Sequence, residues 1–325
     1  MTPKNNRKQR ALVAKIKATQ ASTLMEVVDA LLSDLSRMRR KQFLKNRCVT
    51  LRGVPTEQFD APVKNGDEVR VYNIGFPAEF TSPYASIVWK DDELILLHKK
   101  RGIATVSNHP GLKNTLFRLV ANYVKSYDPH EKIFLLNRLD SETEGLILFA
   151  RSRETQQLIL SSWRKFFIDQ RFCAVVEGLF EKPEGELKGV VKNKSEVQTS
   201  SQKPLTRRSK TTYKVINEGE YSTFVEIVLH GRFNGIRTLL KEENMPVVGE
   251  NIPTAIFQNS KELLLQQASL TFIHPHTLRK MHFQLPIPAS FQAFVKRPMT
   301  RGEKKRAMEQ QPAIPPQYSR NKKDN

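Results

Sequence analysis

Hydrophobic and polar residues change their spacing several times along this chain, and each change marks an element. Leu24, Val27, Val28, Leu31, Leu32 and Leu35 recur three and four residues apart, the stripe of an amphipathic helix. Ser36 then precedes the run "RMRRKQFLKNR", read as a second helix with Met38, Phe43 and Leu44 facing inward. Arg37, Arg39, Arg40, Lys41 and Lys45 line its exposed side. From Cys48 to Tyr72 apolar and polar residues alternate, with turns at Arg52-Gly53 and Asn65-Gly66-Asp67, so short strands are expected. After a Pro-containing linker over 76–86, "IVWKDDELILLHKKRGI" reads as two strands joined by an acidic turn at Asp91-Asp92. A turn in "SNHPGLKN" leads to an amphipathic helix, "TLFRLVANYVKSY". In "FLLNRLDSETEGLILFA" two apolar segments flank a polar bend, and the helix "RETQQLILSSWRKFF" and the strand "RFCAVVEG" follow. Strand patterns resume at "TTYKVI", "STFVEIVLHG" and "ELLLQQASLTFIH". Many strands with few helices between them predict an α+β fold with a largely antiparallel, mixed sheet flanked by helices.

Charge adds a partner to this outline. The chain of 325 residues carries 53 Lys+Arg against 33 Asp+Glu, a net charge of +20, which favours a polyanion. Nucleic acid is the leading candidate and an anionic membrane surface the second. No apolar run approaches the roughly 18 residues of a spanning helix and no signal-peptide core is present, so a cytoplasmic protein without a membrane partner is expected. A monomer is expected as well. The basic residues gather at both ends, giving basic flexible tails over 1–21 and 299–325, and an exposed basic insertion is expected over 186–210. Arg37 to Arg52 contains no acid, and a basic helix face beside a small sheet suits an RNA backbone. Cys48 and Cys173 have neither CxxC nor Cys/His spacing, which gives no disulfide framework and no zinc site. "HPH" at His274 to His276 reads as a strand end, not a metal pair.

Asp140 is the candidate for chemistry. Following Leu135-Leu136 and preceding Gly145-Leu146-Ile147, it is expected at a strand end, partly desolvated. There a carboxylate either caps a turn or, if a cation keeps it ionised, acts as nucleophile or base, and the local sequence leaves both open. The D-x-E-x-E of Asp140, Glu142 and Glu144 has the look of a magnesium site, but the bend scatters those side chains, so no metal is expected.

Several separated motifs resemble known families. The segment 22–75 is similar to the S4 RNA-binding domain, through Ser36-Arg37, Val49-Thr50-Leu51-Arg52-Gly53 and Gly66-Asp67-Glu68-Val69. "NRLDSETEGLILFA" resembles the active-site motif of RNA pseudouridine synthases of the RluA/RsuA class. Four further motifs of that class find matches in the family's order: "LILLHKKRGIATV", "QRFCAVVEG", "HGRFNGIRTLLKEENMPVVGE" and "LLLQQASLTFIHPHT". The late strand places the chain closer to the large-subunit RluA type, and the resemblance implies a catalytic domain over 87–298.

The resemblance implies an isomerase that converts uridine to pseudouridine in structured ribosomal or transfer RNA, without cofactor or metal. Asp140 would be the nucleophile and Arg237 its paired cation. Arg138 would enter the space vacated by the flipped uridine, while Leu139, Phe172 and Ile236 would line the substrate site. Ser36, Arg37, Arg39, Arg40, Lys41, Lys45 and Arg52 would hold the RNA backbone. This chain departs from the pattern at four places: Phe172 stands for the usual tyrosine, Asn234-Gly235 for His-Gln, Lys100 for proline, and Glu144 follows the small-subunit version. The alternative is a catalytically inactive RNA-binding factor that retains the fold.

Overall fold

A computed structural model describes residues 10–107, 114–187, 211–231, 235–258 and 260–310. The chain divides into two units. The first comprises Met1–Ser141, Ile147–Ser161 and Pro275–Thr277, and the second Glu142–Leu146, Ser162–His274 and Leu278–Asn325. The segment 22–75 and the first part of 87–298 therefore share a unit.

The first unit begins with strands β1 (Leu12–Lys17) and β2 (Ser22–Thr23) and helices α1 (Leu24–Leu31) and α2 (Arg37–Lys45). Strands β3 (Val49–Leu51), β4 (Val54–Thr56), β5 (Pro62–Val63) and β6 (Glu68–Tyr72) follow. The order β1-β6-β3-β4 is antiparallel throughout, and β2 pairs with β5. Residues 10–17 thus belong to the fold, contrary to the expected tail: Arg10 donates to the carbonyls of Ile74 and Gly75 and covers the Phe76 ring at 4.1 Å. Residues 1–9 lie outside the described residues.

Helix α1 starts at a capping box, in which Thr23 and Glu26 answer each other's amides. Ser36 caps α2 through the Arg39 amide. The two expected turns form, at Arg52-Gly53 with φ of 52° and 79° and at Gly66 with φ of 86°. Leu24, Val28, Leu44, Val49, Val69 and Val71 pack into a core that belongs to this module alone. Met38 does not join it and is 83% exposed. Each helical step turns about 100°, so Arg40, one turn before Leu44, takes the inward position instead. Its guanidinium pairs with Asp29 on α1 at 3.1 Å.

The same unit continues with β7 (Ala85–Lys90), β8 (Leu94–Lys99), α3 (Leu116–Tyr127), β9 (Phe134–Leu135), β10 (Glu144–Ala150) and α4 (Arg153–Ser161), Ile147–Ala150 of β10 being its share of that strand. Asp91 makes the expected turn by accepting from the amides of Glu93 and Leu94, both at 2.8 Å. Strand β8 lies between β7 and β10, and Leu94 to Leu97 are fully buried. Gly75 donates to the Tyr127 carbonyl at the end of α3, and a Cβ there would lie 1.7 Å from the Asn46 carbonyl oxygen. The residue just before the expected linker is therefore clamped to the end of α3. Residues 108–113 of the expected turn lie outside the described residues.

The second unit holds α5 (Trp163–Phe166), β11 (Phe167–Glu177), β12 (Glu184–Leu187), β13 (Thr211–Glu218), β14 (Ser222–Leu229), α6 (Ile236–Glu242), β15 (Leu265–Ile273), β16 (Lys280–Gln284), α7 (Ala289–Lys296) and α8 (Arg301–Gln310). The helix expected over 153–167 breaks at Ser162, into α4 and α5. The order β12-β13-β14-β11-β15 is antiparallel, β16 adds to β15, and Glu144 and Gly145 of β10 run parallel to Gln266 and Gln267. Residues 188–210 of the expected insertion lie outside the described residues, while Glu186 and Leu187 belong to β12. Cys173, Val175, Phe224, Phe291, Val295 and Ala307 form the core. Burial pushes the Cys48 thiol up to about 11 and the Cys173 thiol up to about 12, and both are free. Among the described residues, no helix is long and apolar enough to cross a membrane.

Helix α8 occupies much of what reads as a C-terminal tail. Glu303 and Thr300 cap it reciprocally, and Glu303 accepts two hydrogen bonds from Arg297, at 2.8 and 3.0 Å. Arg306 donates to the Ile256 carbonyl at 2.8 Å. Residues 311–325 lie outside the described residues. Burial raises the Glu303 carboxyl, but its bonds to Arg297 and Thr300 outweigh that and hold it below the ordinary 4.5. Glu303→Gln is expected to cost about 1–3 kcal/mol in urea unfolding at neutral pH. A carboxyl whose folded pKa is lowered contributes fully above its unfolded pKa and loses that contribution as pH falls through the folded value. The wild-type advantage should therefore fade below about pH 4.5; a difference that does not narrow in acid contradicts this account.

Candidate active site

The backbone from Leu136 to Ser141 explains why Arg138 and Asp140 stand two residues apart. Strand β9 ends at Leu135, and the chain departs from β10 with the Asn137 side chain accepting the Leu148 amide at 2.8 Å. Leu139 is 4% exposed, while Arg138 and Asp140 on either side of it are both exposed. In extended chain, residues two apart project to the same side, so one buried leucine presents an arginine and an aspartate together. Asp140 is not partly desolvated at a strand end, as expected: it lies in the loop, four residues before β10, because β9 is only two residues long.

The loop is gripped from beneath. The Thr105 hydroxyl accepts from the Leu139 amide at 3.1 Å and donates to the Leu139 carbonyl at 2.5 Å. The Ser141 carbonyl accepts from the Gly102 amide at 2.9 Å and from Lys99 Nζ at 3.1 Å. Lys99 is completely buried, and its ammonium also donates to the Lys100 carbonyl at 3.1 Å. Sequence reading assigned no role to Lys99, Thr105 or the glutamate described next. Lys99 and Thr105 lie inside a quoted motif, but no spacing pattern connects them with residues 139–141.

In the second unit, Arg237 sits in the first turn of α6. It donates from Nε and Nη2 to both oxygens of Glu250, at 2.5 and 2.7 Å, and from Nη1 to Glu142 at 3.2 Å. A bidentate carboxylate fixes the plane of a guanidinium as well as its position. Glu142 is thus an ion-pair partner, and among the described residues no three His, Cys, Asp or Glu side chains gather to hold a metal ion. Ile236 is fully buried, and Phe172, 1% exposed, lies across from Ile227 on β14 and Gln267 on β15. In this structure both belong to the interior. Asn234 lies outside the described residues.

Of the residues expected to meet RNA, Arg37, Arg39, Lys41 and Lys45 are exposed on α2. Ser36 is its cap, Arg40 is turned to Asp29, and Arg52 pairs with Asp67 at 3.0 Å. The free basic face is therefore smaller than the sequence pattern suggests.

Residues 93–242, which include the Arg138-Leu139-Asp140 loop and Arg237, match the RNA pseudouridylate synthase family. The dual-specificity RNA pseudouridine synthase RluA of Vibrio cholerae is 27% identical over 210 residues, covering 61% of this chain and 82% of that one. The ribosomal large subunit pseudouridine synthase D of Neisseria meningitidis serogroup A is 26% identical over 290 residues, or 81% of this chain and 75% of that one. The chain is an RNA pseudouridine synthase, similar to the RluA type. An uncharacterized RNA pseudouridine synthase of Bacillus subtilis, YhcT, is 26% identical over 238 residues, 70% of this chain and 78% of that one.

Gly145 shows how closely the synthase builds the strand after this loop. Its φ is +149°, and a Cβ there would lie 2.5 Å from the Gln267 Cβ and 2.8 Å from the Gln267 amide nitrogen and carbonyl oxygen. Gly145→Ala is expected to lower unfolding free energy by about 1–3 kcal/mol. A urea midpoint equal to that of the wild type would show that β10 and β15 can separate without cost.

Proposed function

We propose that the synthase isomerises a uridine in structured ribosomal RNA, with Asp140 as the nucleophile. The observation that carries this reading is the exposed Asp140 on a loop whose backbone is held on both sides of it, with Arg138 projecting alongside. The names of its relatives, ribosomal large subunit synthases among them, support ribosomal RNA over transfer RNA.

The chemistry is redox-neutral. The C1′–N1 bond of the uridine breaks, a C1′–C5 bond forms, C5 loses its proton and N1 gains one, so no cofactor is required. A base inside a stack is out of reach of a protein carboxylate, so the uridine must leave the stack, and Arg138 is the side chain we assign to the space it vacates. Arg237 is assigned the counter-cation role, since an arginine near a carboxylate favours the ionised, nucleophilic form. Phe172 and Ile236 are assigned to the target base; phenylalanine keeps the stacking face of the usual tyrosine and lacks its hydroxyl.

The N-terminal module is assigned as an S4-type platform that holds RNA by its phosphates through Arg37, Arg39, Lys41 and Lys45. Arg40 is excluded, because removing it would leave Asp29 without its partner on α2. Replacing Arg37, Arg39 and Lys41 by alanine should reduce the slope of log affinity against log salt by about 2 to 3, at roughly 0.7–0.9 per phosphate contact. An unchanged slope would remove α2 from the binding surface.

The catalytic reading is tested by pseudouridine mapping of total RNA from cells with the gene, without it, and with Asp140→Ala. A site lost from both altered strains identifies the substrate and confirms the role of Asp140. If no site changes and the protein still co-purifies with RNA, the inactive RNA-binding factor becomes the correct reading.

A further inference from the structure

The two hydrogen bonds of Thr105 to Leu139 invite the question of what a hydroxyl does at a position that is 2% exposed. A valine would fill the same space without burying a polar atom. The threonine is itself anchored: the carbonyls of Ala104 and Thr105 accept from the amides of Leu116 and Phe117, at 2.9 and 3.0 Å, in the first turn of α3. A rigid helix end therefore holds Thr105, and Thr105 holds both polar groups of the residue between Arg138 and Asp140. One residue beyond Asp140, the Ser141 carbonyl is held by Gly102 and Lys99 of the same segment, 99–105.

We infer that Thr105 is a positioning residue for Asp140, its hydroxyl bracketing the Leu139 peptide so that the carboxylate is presented in one fixed place. This rests on the reading of Asp140 as the nucleophile. A hydroxyl is suited to the task because it donates and accepts at once, which no apolar side chain does. Loss of the bracket leaves the Leu139 amide and carbonyl free to turn, and small misplacements of a reacting group cost rate more than binding.

The test uses the full-length synthase and RNA labelled with tritium at uridine C5, isolated from cells that lack the gene, with tritium release as the readout. Thr105→Val should lower kcat by about 10- to 100-fold while KM stays within about twofold, and Thr105→Ser should restore kcat to within about threefold of wild type. A kcat for Thr105→Val within about threefold of wild type overturns the inference, as does a Thr105→Ser variant as slow as the valine. Urea unfolding is followed in parallel. If Thr105→Val does not fold, Thr105→Ser and Thr105→Ala are compared at a temperature where both are folded: a fast serine and a slow alanine uphold the bracket, and equal rates overturn it. Asp140→Asn separates this from the underlying reading. Full turnover in that variant removes Asp140 as nucleophile whatever Thr105 does. An inactive Asp140→Asn beside an unimpaired Thr105→Val keeps the nucleophile and removes the bracket.

Discussion

A peptide buried beneath an exposed side chain must have its N–H and C=O answered from inside the protein, because water cannot reach them. An unanswered group costs about 1–3 kcal/mol, a sizeable part of the stability of a domain. Around Asp140 this requirement organises everything nearby. Thr105 answers Leu139, Gly102 and Lys99 answer Ser141, and Asn137 answers Leu148 where β9 and β10 diverge. The residue in the middle is left exposed while the backbone on both sides of it is held. Lys99 shows how strict the arrangement is, since the polar head of a fully buried lysine must be answered, and the Lys100 and Ser141 carbonyls both accept from it.

The same economy governs charge. The excess of 53 basic over 33 acidic residues suggests a uniformly cationic protein, yet several arginines are engaged within it. Arg40 meets Asp29, Arg297 meets Glu303, Arg237 meets Glu250 and Glu142, and Arg151 meets Glu131 at 3.0 Å while donating to the Asp91 carbonyl at 2.6 Å. Ion pairs add little net stability when exposed, and half-buried ones repay mainly their own desolvation. What they supply is orientation. Arg237 is held in a plane, α8 is fastened to the end of α7, and α2 is turned so that Arg37, Arg39, Lys41 and Lys45 face water.

In the second unit, position is set by register. Phe172 on β11 pairs with Ile227 on β14 and Gln267 on β15, and Gln267 in turn pairs with Gly145 on β10. A one-residue slip anywhere in that row would turn every side chain to the opposite face. The missing Cβ of Gly145 allows the close approach that fixes it.

By itself the sequence determined the elements, since period and capping are local properties. The 3.6-residue stripe of α1, the Ser36 cap of α2, the Arg52-Gly53 and Gly66 turns and the Asp91 turn all stand where their residues place them. The family was also legible, because "NRLDSETEGLILFA" and four motifs after and before it lie in contiguous stretches. Tertiary structure decided the rest, for reasons of long-range contact. The strand β1 and the helix α8 stood inside segments that read as basic tails, because their anchors, Asn73 to Gly75 for one and the buried Glu303 pair for the other, do not show in local composition. Met38 and Arg40 exchanged their expected places because Asp29 lies on a neighbouring helix. Thr105 and Leu139 are 34 residues apart, and only folding could bring that hydroxyl to that peptide.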